Sequence, residues 1–308
     1  MAVPNESLTC NLCDRPGRFD EAAEQQSVPC NVRAFLEDRF TVWRCPNCRS
    51  LHCREAADLG YYYGGYFLGN QKLDYFTWCV LRNRLSMFRR RGLQKTDSVL
   101  DYGCGANGLF VEFLRARGYD AHGYDPFAEK FSDPGVLSRK FNVVASFDVI
   151  EHDDDPRDFF TRQVDLLAPG GLLFVGTPRA DGIDLSKPLT ASLHQPYHRH
   201  ILSEKALLEL GQAAGLDLVD LHHRWVADTP FPVVNNRFIM EYIASSGHVI
   251  NSVTDPPKVG MVLASPRLMF FAIFGYLFPP PDAMGAFFRK PAAETIPLAI
   301  PVAQAASG

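Results

Sequence analysis

The stretch Val99-Leu-Asp101-Tyr-Gly103-Cys104-Gly105-Ala-Asn107-Gly108 decides how this chain folds. An apolar run enters a glycine turn, and Leu109, Phe110, Phe113 and Leu114 leave it at helical spacing. Gly103 to Gly108 spell G-x-G-x-x-G, a turn that lets the backbone approach a ligand where a strand hands over to a helix. A second strand, His122-Gly-Tyr124, ends at Asp125, an acid about 20 residues on that suits a ribose diol. Around this core, strand and helix signals alternate. Strands are expected near 98–102, 120–124, 141–147, 171–177 and 217–223, and helices near 107–117, 156–167 and 203–214. A last strand is read at Gly260-Met-Val-Leu-Ala264, and Leu73, Phe76, Val80, Leu81, Leu85 and Phe88 predict a helix ahead of the sheet.

Asp101 separates two classes of cofactor. It stands two residues before the first glycine, at the strand end that faces the ligand. A carboxylate there repels a pyrophosphate and attracts a cation, by several kcal/mol at about 4 Å in a partly desolvated site. A nicotinamide dinucleotide is therefore disfavoured. S-adenosylmethionine, with an ammonium, a sulfonium and no phosphate, is favoured.

Downstream motifs turn this into a family likeness. Phe141-Asn-Val-Val-Ala-Ser146-Phe147-Asp148-Val-Ile-Glu151-His152 resembles the fourth strand and turn of class I S-adenosylmethionine-dependent methyltransferases. Leu166-Leu-Ala-Pro169-Gly-Gly171-Leu-Leu-Phe-Val-Gly-Thr177-Pro178 resembles their turn into the fifth strand, and His198-Arg-His200-Ile-Leu-Ser203 with Ala214-Gly215-Leu216 their approach to the sixth. The resemblance covers roughly 98 to 265. It implies a Rossmann-like, doubly wound α/β sheet of seven strands. By resemblance, Gly103, Gly105 and Asn107 form the cofactor loop, Asp101 faces the ammonium, Asp125 takes the ribose hydroxyls, and Ser146 and Phe147 lie near the sulfonium. Two departures stand out. Asn142 replaces the family's usual Asp, and residues 126–140 are too few for a complete third βα unit, which usually needs about 30. The third strand and helix are expected to be truncated, with Phe127 as a substitute adenine wall.

The 308 residues carry a net charge of −4, an ordinary globular composition that argues against a nucleic-acid-coating protein. Six of the eight cysteines fall in the first 53 residues. Cys10-Asn-Leu-Cys13 and Cys45-Pro-Asn-Cys48 are two C-x2-C turns, each able to give two thiolates to a tetrahedral structural Zn2+. Cys30, His52 and Cys53 are alternative ligands. This double knuckle followed by the Tyr-rich run at 61–67 resembles a methyltransferase subgroup with a zinc-binding module, which includes sugar C-methyltransferases. The expected organisation is a zinc-ribbon-like module at 1–55, an aromatic and helical connector and lid at 56–97, the methyltransferase domain at 98–265, and an apolar helix with a mobile tail at 266–308. The opening MAVPNESLTC has no basic region followed by an apolar run, and a cytoplasmic protein is expected.

Where the acceptor must lose a proton, histidine is the natural base, its ordinary pKa lying near 6.5. His152 follows the fourth strand, and His194, His198 and His200 cluster after the fifth. A metal held by the last three is a weaker alternative. Tyr61 and Tyr66 are candidates to line or lid the pocket. Six cations and no acid lie between Arg82 and Lys95, read as a solvated helix face, a site for a phosphate-bearing substrate or a membrane contact. The apolar run 268–278 is read as a core helix or an interfacial lid. The functional expectation is a methyltransferase acting on a sugar, lipid or secondary-metabolite intermediate. An RNA methyltransferase gripping its substrate by the zinc module, and a non-catalytic binding module, are the alternatives. The oligomeric state is open.

Overall fold

The computed structural model describes residues 6–64, 72–187 and 191–292. Tyr66 of the expected lid and the tail from 293 lie outside the described residues. The N-terminal module is an antiparallel meander of β1 (Gln25–Pro29), β2 (Arg39–Arg44) and β3 (Leu51–Cys53). Along Phe40-Thr-Val-Trp43, Phe40, Val42 and Trp43 are all buried, each in a different apolar cluster. After the short α1 (Leu59–Tyr63), α2 (Tyr75–Arg90) begins at Asp74, whose carboxylate accepts from the Thr77 amide at 2.8 Å.

The main layer follows in the expected α/β alternation: β4 (Ser98–Tyr102), α3 (Leu109–Arg115), β5 (Asp120–Tyr124), β6 (Phe141–Phe147), α4 (Pro156–Asp165) and β7 (Leu167–Pro178). Next come β8 (His200–Ile201), α5 (Glu204–Ala213), β9 (Asp217–His222), the helices α6 (Asn236–Ser245), α7 (Val259–Ala264) and α8 (Pro266–Phe274), and β10 (Ala283–Arg289). The sheet order is β5-β4-β6-β7-β10-β9, parallel from β5 to β7 and antiparallel through β10.

Two expectations need correction. The last strand is not at 260–264, which is α7; the antiparallel partner of β7 is β10, beyond residue 265. A short apolar run reads equally as strand or helix, and β10 lies past the Pro279–Pro281 run. The sheet has six strands among the described residues, not seven, and β5 is its edge. Residues 126–140 form only 3-10 turns, Glu129–Phe131 and Pro134–Ser138. Phe131 fills the place beside β5: a Cβ added to Gly108, which has φ +52°, would lie 2.3 Å from its ring.

The module is not a free appendage. β8 pairs with β3, Leu51 opposite Ile201 and His52 opposite His200, so a strand from the second half of the chain completes the module's sheet. Buried Arg44 donates to the carbonyls of Ala180 and Ile183 at 2.9 and 2.6 Å. Cys10, Leu12, Trp43 and Cys45 share one apolar core with Leu202, Leu207 and Phe288. None of the described helices is long and apolar enough to cross a membrane.

Candidate functional site

The carboxyl ends of β4, β5 and β6 meet at the glycine turn. Gly103 has φ +83°, and a Cβ there would strike Val149 at 2.6 Å, so only glycine fits. Gly105, at φ +71°, faces nothing within 4 Å and leaves its backbone open to a ligand. Its amide donates to Asp125 at 2.9 Å, and the Phe127 amide donates to the other carboxylate oxygen at 2.9 Å. Asp125 is thus held in place, and each oxygen keeps a further acceptor direction. Phe127 projects into solvent, 79% exposed beside this carboxylate, and Asn107 is exposed on the turn.

Asp101 is only 4% exposed and its Oδ1 has no hydrogen-bond partner. Burial pushes its carboxyl up to about 7; nearby Asp125 adds to the rise and Arg84 opposes it. A buried, unsatisfied carboxyl beside an open glycine turn is the environment a ligand ammonium would complete. Arg84 was not singled out in the sequence from its run of cations, yet it alone stands three residues from Leu81 and four from Phe88, on the inward stripe of α2. Its guanidinium lies 4.0 Å from the centre of the Phe147 ring and interacts with Asp101 and Asp148. Phe147 itself packs among Phe88, Phe110 and Phe174. Ser146 is fully buried with an unpartnered Oγ.

Asp148 follows β6 in the left-handed region at φ +54°, a conformation that non-glycine residues hold mainly where the surroundings impose it. The Trp225 indole donates to its Oδ2 at 2.8 Å, and burial raises its carboxyl to about 6. Neither Asp148 nor Trp225 was foreseen as a site residue.

Beyond Asp148, a row of proton-carrying groups runs from the core to the surface. Glu151 is completely buried, accepts from Thr177 Oγ1 at 2.9 Å, and is pushed well up by burial, with Asp148 adding to the rise. Its unpartnered Oε1 faces His198 Nε2 at 4.0 Å. His198 Nδ1 lies 2.8 Å from the Ser192 carbonyl, which assigns the proton to Nδ1 and the lone pair to Nε2. The His198 ring packs edge-on against His152 at 4.9 Å, and His152 Nδ1 meets the Tyr63 hydroxyl at 3.2 Å. His194, at φ +35°, stacks on Tyr197 and pairs with Asn31 at 2.7 Å, its ring 5.1 Å from His198. Burial lowers His152 to about 4, His194 to about 3 and His198 well below its ordinary value, so all three are neutral at physiological pH.

His200 stands apart from this row. It lies in β8, its Nδ1 2.8 Å from His52 Nδ1 and its Nε2 3.2 Å from the Asp154 carbonyl. The set that lies close enough to hold a metal is Glu151, His152 and His198, whose ligand atoms fall within 4.8 Å of one another; His194 and His200 are outside it.

The four knuckle cysteines converge in a buried cluster. Their sulfurs are 3.6 Å apart for Cys10 and Cys48, 3.8 Å for Cys10 and Cys13, and 4.0 Å for Cys13 and Cys45. Tetrahedral zinc with Zn–S of about 2.3 Å requires sulfurs about 3.8 Å apart, so the arrangement fits the ion and is far too open for a disulfide. Burial pushes Cys13 up to about 11, and the Cys10 thiol donating to Cys48 draws that sulfur down. Cys30 and Cys53 lie in a separate apolar cluster with Phe35, Phe40 and Tyr197.

Residues 73–221 match the family described as a methyltransferase domain. The chain is accordingly an enzyme, an S-adenosylmethionine-dependent methyltransferase. No curated protein matches the sequence. Among solved structures, the chain is similar to a protein from Galdieria sulphuraria assigned as a sarcosine dimethylglycine methyltransferase, at 18% identity and a TM-score of 0.45, over 76% of this chain and 97% of that one. It is also similar to the 1,6-didemethyltoxoflavin-N1-methyltransferase of Burkholderia thailandensis, at 14% identity and a TM-score of 0.43, over 82% and 96%. At these scores nothing about acceptor or residue roles passes from those proteins to this one.

Proposed function

We propose that this enzyme methylates a small-molecule acceptor (a sugar, lipid or secondary-metabolite intermediate) bound over the carboxyl ends of β6 and β7, in the cytoplasm. The observation that supports this reading is the graded row Glu151–His198–His152–Tyr63, which opens beside the glycine turn. S-adenosylmethionine, when bound, supplies an electrophilic methyl for in-line displacement. This chain's residues supply the rest. Asp101 holds the ammonium end, Gly103, Gly105 and Asn107 give it room, Asp125 takes the ribose diol, and Ser146 and Phe147 border the reacting end. Phe127 is the candidate adenine wall.

On the acceptor side, neutral His152 or His198 takes the proton of a hydroxyl or acidic carbon. The imidazolium that results at His198 faces the Glu151 carboxyl, whose Oε1 lies 4.0 Å from His198 Nε2. Tyr63 orients the acceptor at the mouth. His194 and Tyr197 brace the loop, and His200 anchors it through β8. Cys10, Cys13, Cys45 and Cys48 hold one structural zinc with no open position. Transfer of labelled methyl to a panel of sugars, lipids and phenolics tests the reading. Turnover on one of these, lost in His152→Ala or His198→Ala with cofactor affinity intact, supports it. Turnover only on RNA overturns it.

A further inference from the structure

α8 is apolar on both of its faces. Leu268 and Ala272 turn inward, whereas Phe270, Ile273 and Phe274 are 46%, 57% and 46% exposed. A surface helix of a globular protein usually carries polar residues on its outer side. Leu263 on α7, and Leu277 and Phe278 after α8, extend the same bare surface. An exposed apolar patch of this extent marks an interaction site.

A groove of about 790 Å³ lies between α2 and the end of α3, lined by Arg82, Arg89, Arg90, Lys95 and Arg117 with Trp78 and Tyr119. No acid lines it. None of its five cations forms an ion pair among the described residues, although the chain as a whole is acidic. The two features are linked through the segment 231–233. Arg82 lies over both Trp78 and Phe231, and two residues further on the Val233 amide donates to the Ala272 carbonyl of α8.

We propose that this combined surface docks the enzyme on an anionic membrane. Its apolar helices enter the headgroup–acyl boundary, and the groove cations meet lipid phosphates. Charge complementarity selects this occupant: unpaired cations next to bare phenylalanines suit a surface that is negative outside and greasy beneath. A symmetric pair of copies would bring two basic grooves toward one another.

The test is sedimentation of the full-length protein with vesicles of phosphatidylcholine, with and without a minority of phosphatidylglycerol. The protein is expected to partition onto the anionic vesicles only, less so at high salt. Arg89→Gln with Arg90→Gln should reduce partitioning about 25-fold, since each cation near such a surface contributes roughly fivefold. Ile273→Ser with Leu277→Ser should reduce it as well. All four positions are exposed and outside the catalytic row, so unchanged cofactor binding and thermal melting verify the fold. Equal binding to neutral vesicles, no binding at all, or unaltered binding by both double variants overturns the proposal. So does a concentration-dependent dimer that Ile273→Ser with Leu277→Ser dissolves, or binding of single-stranded RNA in place of vesicles.

Discussion

Replacing Asp101 by asparagine should weaken S-adenosylmethionine binding and stabilise the ligand-free protein at once. The carboxyl is 4% exposed and lifted from 3.8 to about 7, first by burial, then by Asp125, against the pull of Arg84. An acid whose pKa rises on folding binds its proton more tightly in the native state. Stability contributed by this group therefore falls as pH rises from 3.8, and the loss is complete above about 7. The interval corresponds to on the order of 4 kcal/mol. Asparagine removes the charge but leaves a buried amide, at a cost of about 1 to 3 kcal/mol. The ligand-free variant should gain about 1 to 3 kcal/mol at neutral pH, and several degrees in Tm. The ammonium, meanwhile, loses a charge-assisted hydrogen bond worth about 1.5 to 3 kcal/mol, so affinity should drop roughly ten- to hundredfold.

The pH dependence separates these effects. A bound cation selects the ionised carboxyl, so wild-type affinity should climb with pH and level off near 7. The variant's curve should lack that climb. Melting curves and calorimetric titrations of both proteins between about pH 5 and 8 supply the comparison. If Asp101→Asn binds the cofactor as tightly as wild type, or the two pH profiles coincide, the charge argument collapses.

Purified protein should contain one zinc per chain; Cys45→Ser should lose it, and a chelator should lower Tm, as read by metal analysis and melting. His152→Ala and His198→Ala should cost about 10² to 10⁴ in turnover with cofactor affinity unchanged. His200→Ala should lower Tm more than turnover. Normal turnover in all three would mean that no histidine of this group is the base. Arg84→Met removes the charge that holds Asp101 down, so the rise of cofactor affinity with pH should move to higher pH in calorimetry.

Local chemistry made much of this legible. The glycine turn, Asp101 and Asp125 lie within 25 residues of one another, and two C-x2-C turns announce their geometry without a fold. The rest depended on contacts between distant segments. Arg84 differs from its neighbouring cations only in facing Phe147 and Asp101, which requires knowing where α2 packs. Glu151 and Asp148 stand in a recognisable motif, but only their burial in the fold raises their pKa values, against the hydrogen bonds from Thr177 and Trp225. β8 has two residues, too few for any alternation to register.

That two-residue strand bears on how the two halves cooperate. Cys45 and Cys48 fix the turn between β2 and β3, and β3 reaches the catalytic half through Leu51–Ile201 and His52–His200. The residues just before β8 are His194, Tyr197 and His198, and buried Arg199 ties the same loop to Asp154 at 3.2 Å. The loop that carries His198 is therefore held at its far end by the module's sheet rather than by the methyltransferase sheet. The glycine turn, by contrast, rests on β4, β5 and Val149. On the proposed function, a metal at the cysteines would act on acceptor chemistry through the placement of His198, which β3 and β8 hold. Such a coupling would give a physical reason for this sheet to carry a cysteine-stapled module that leaves no coordination position for a substrate.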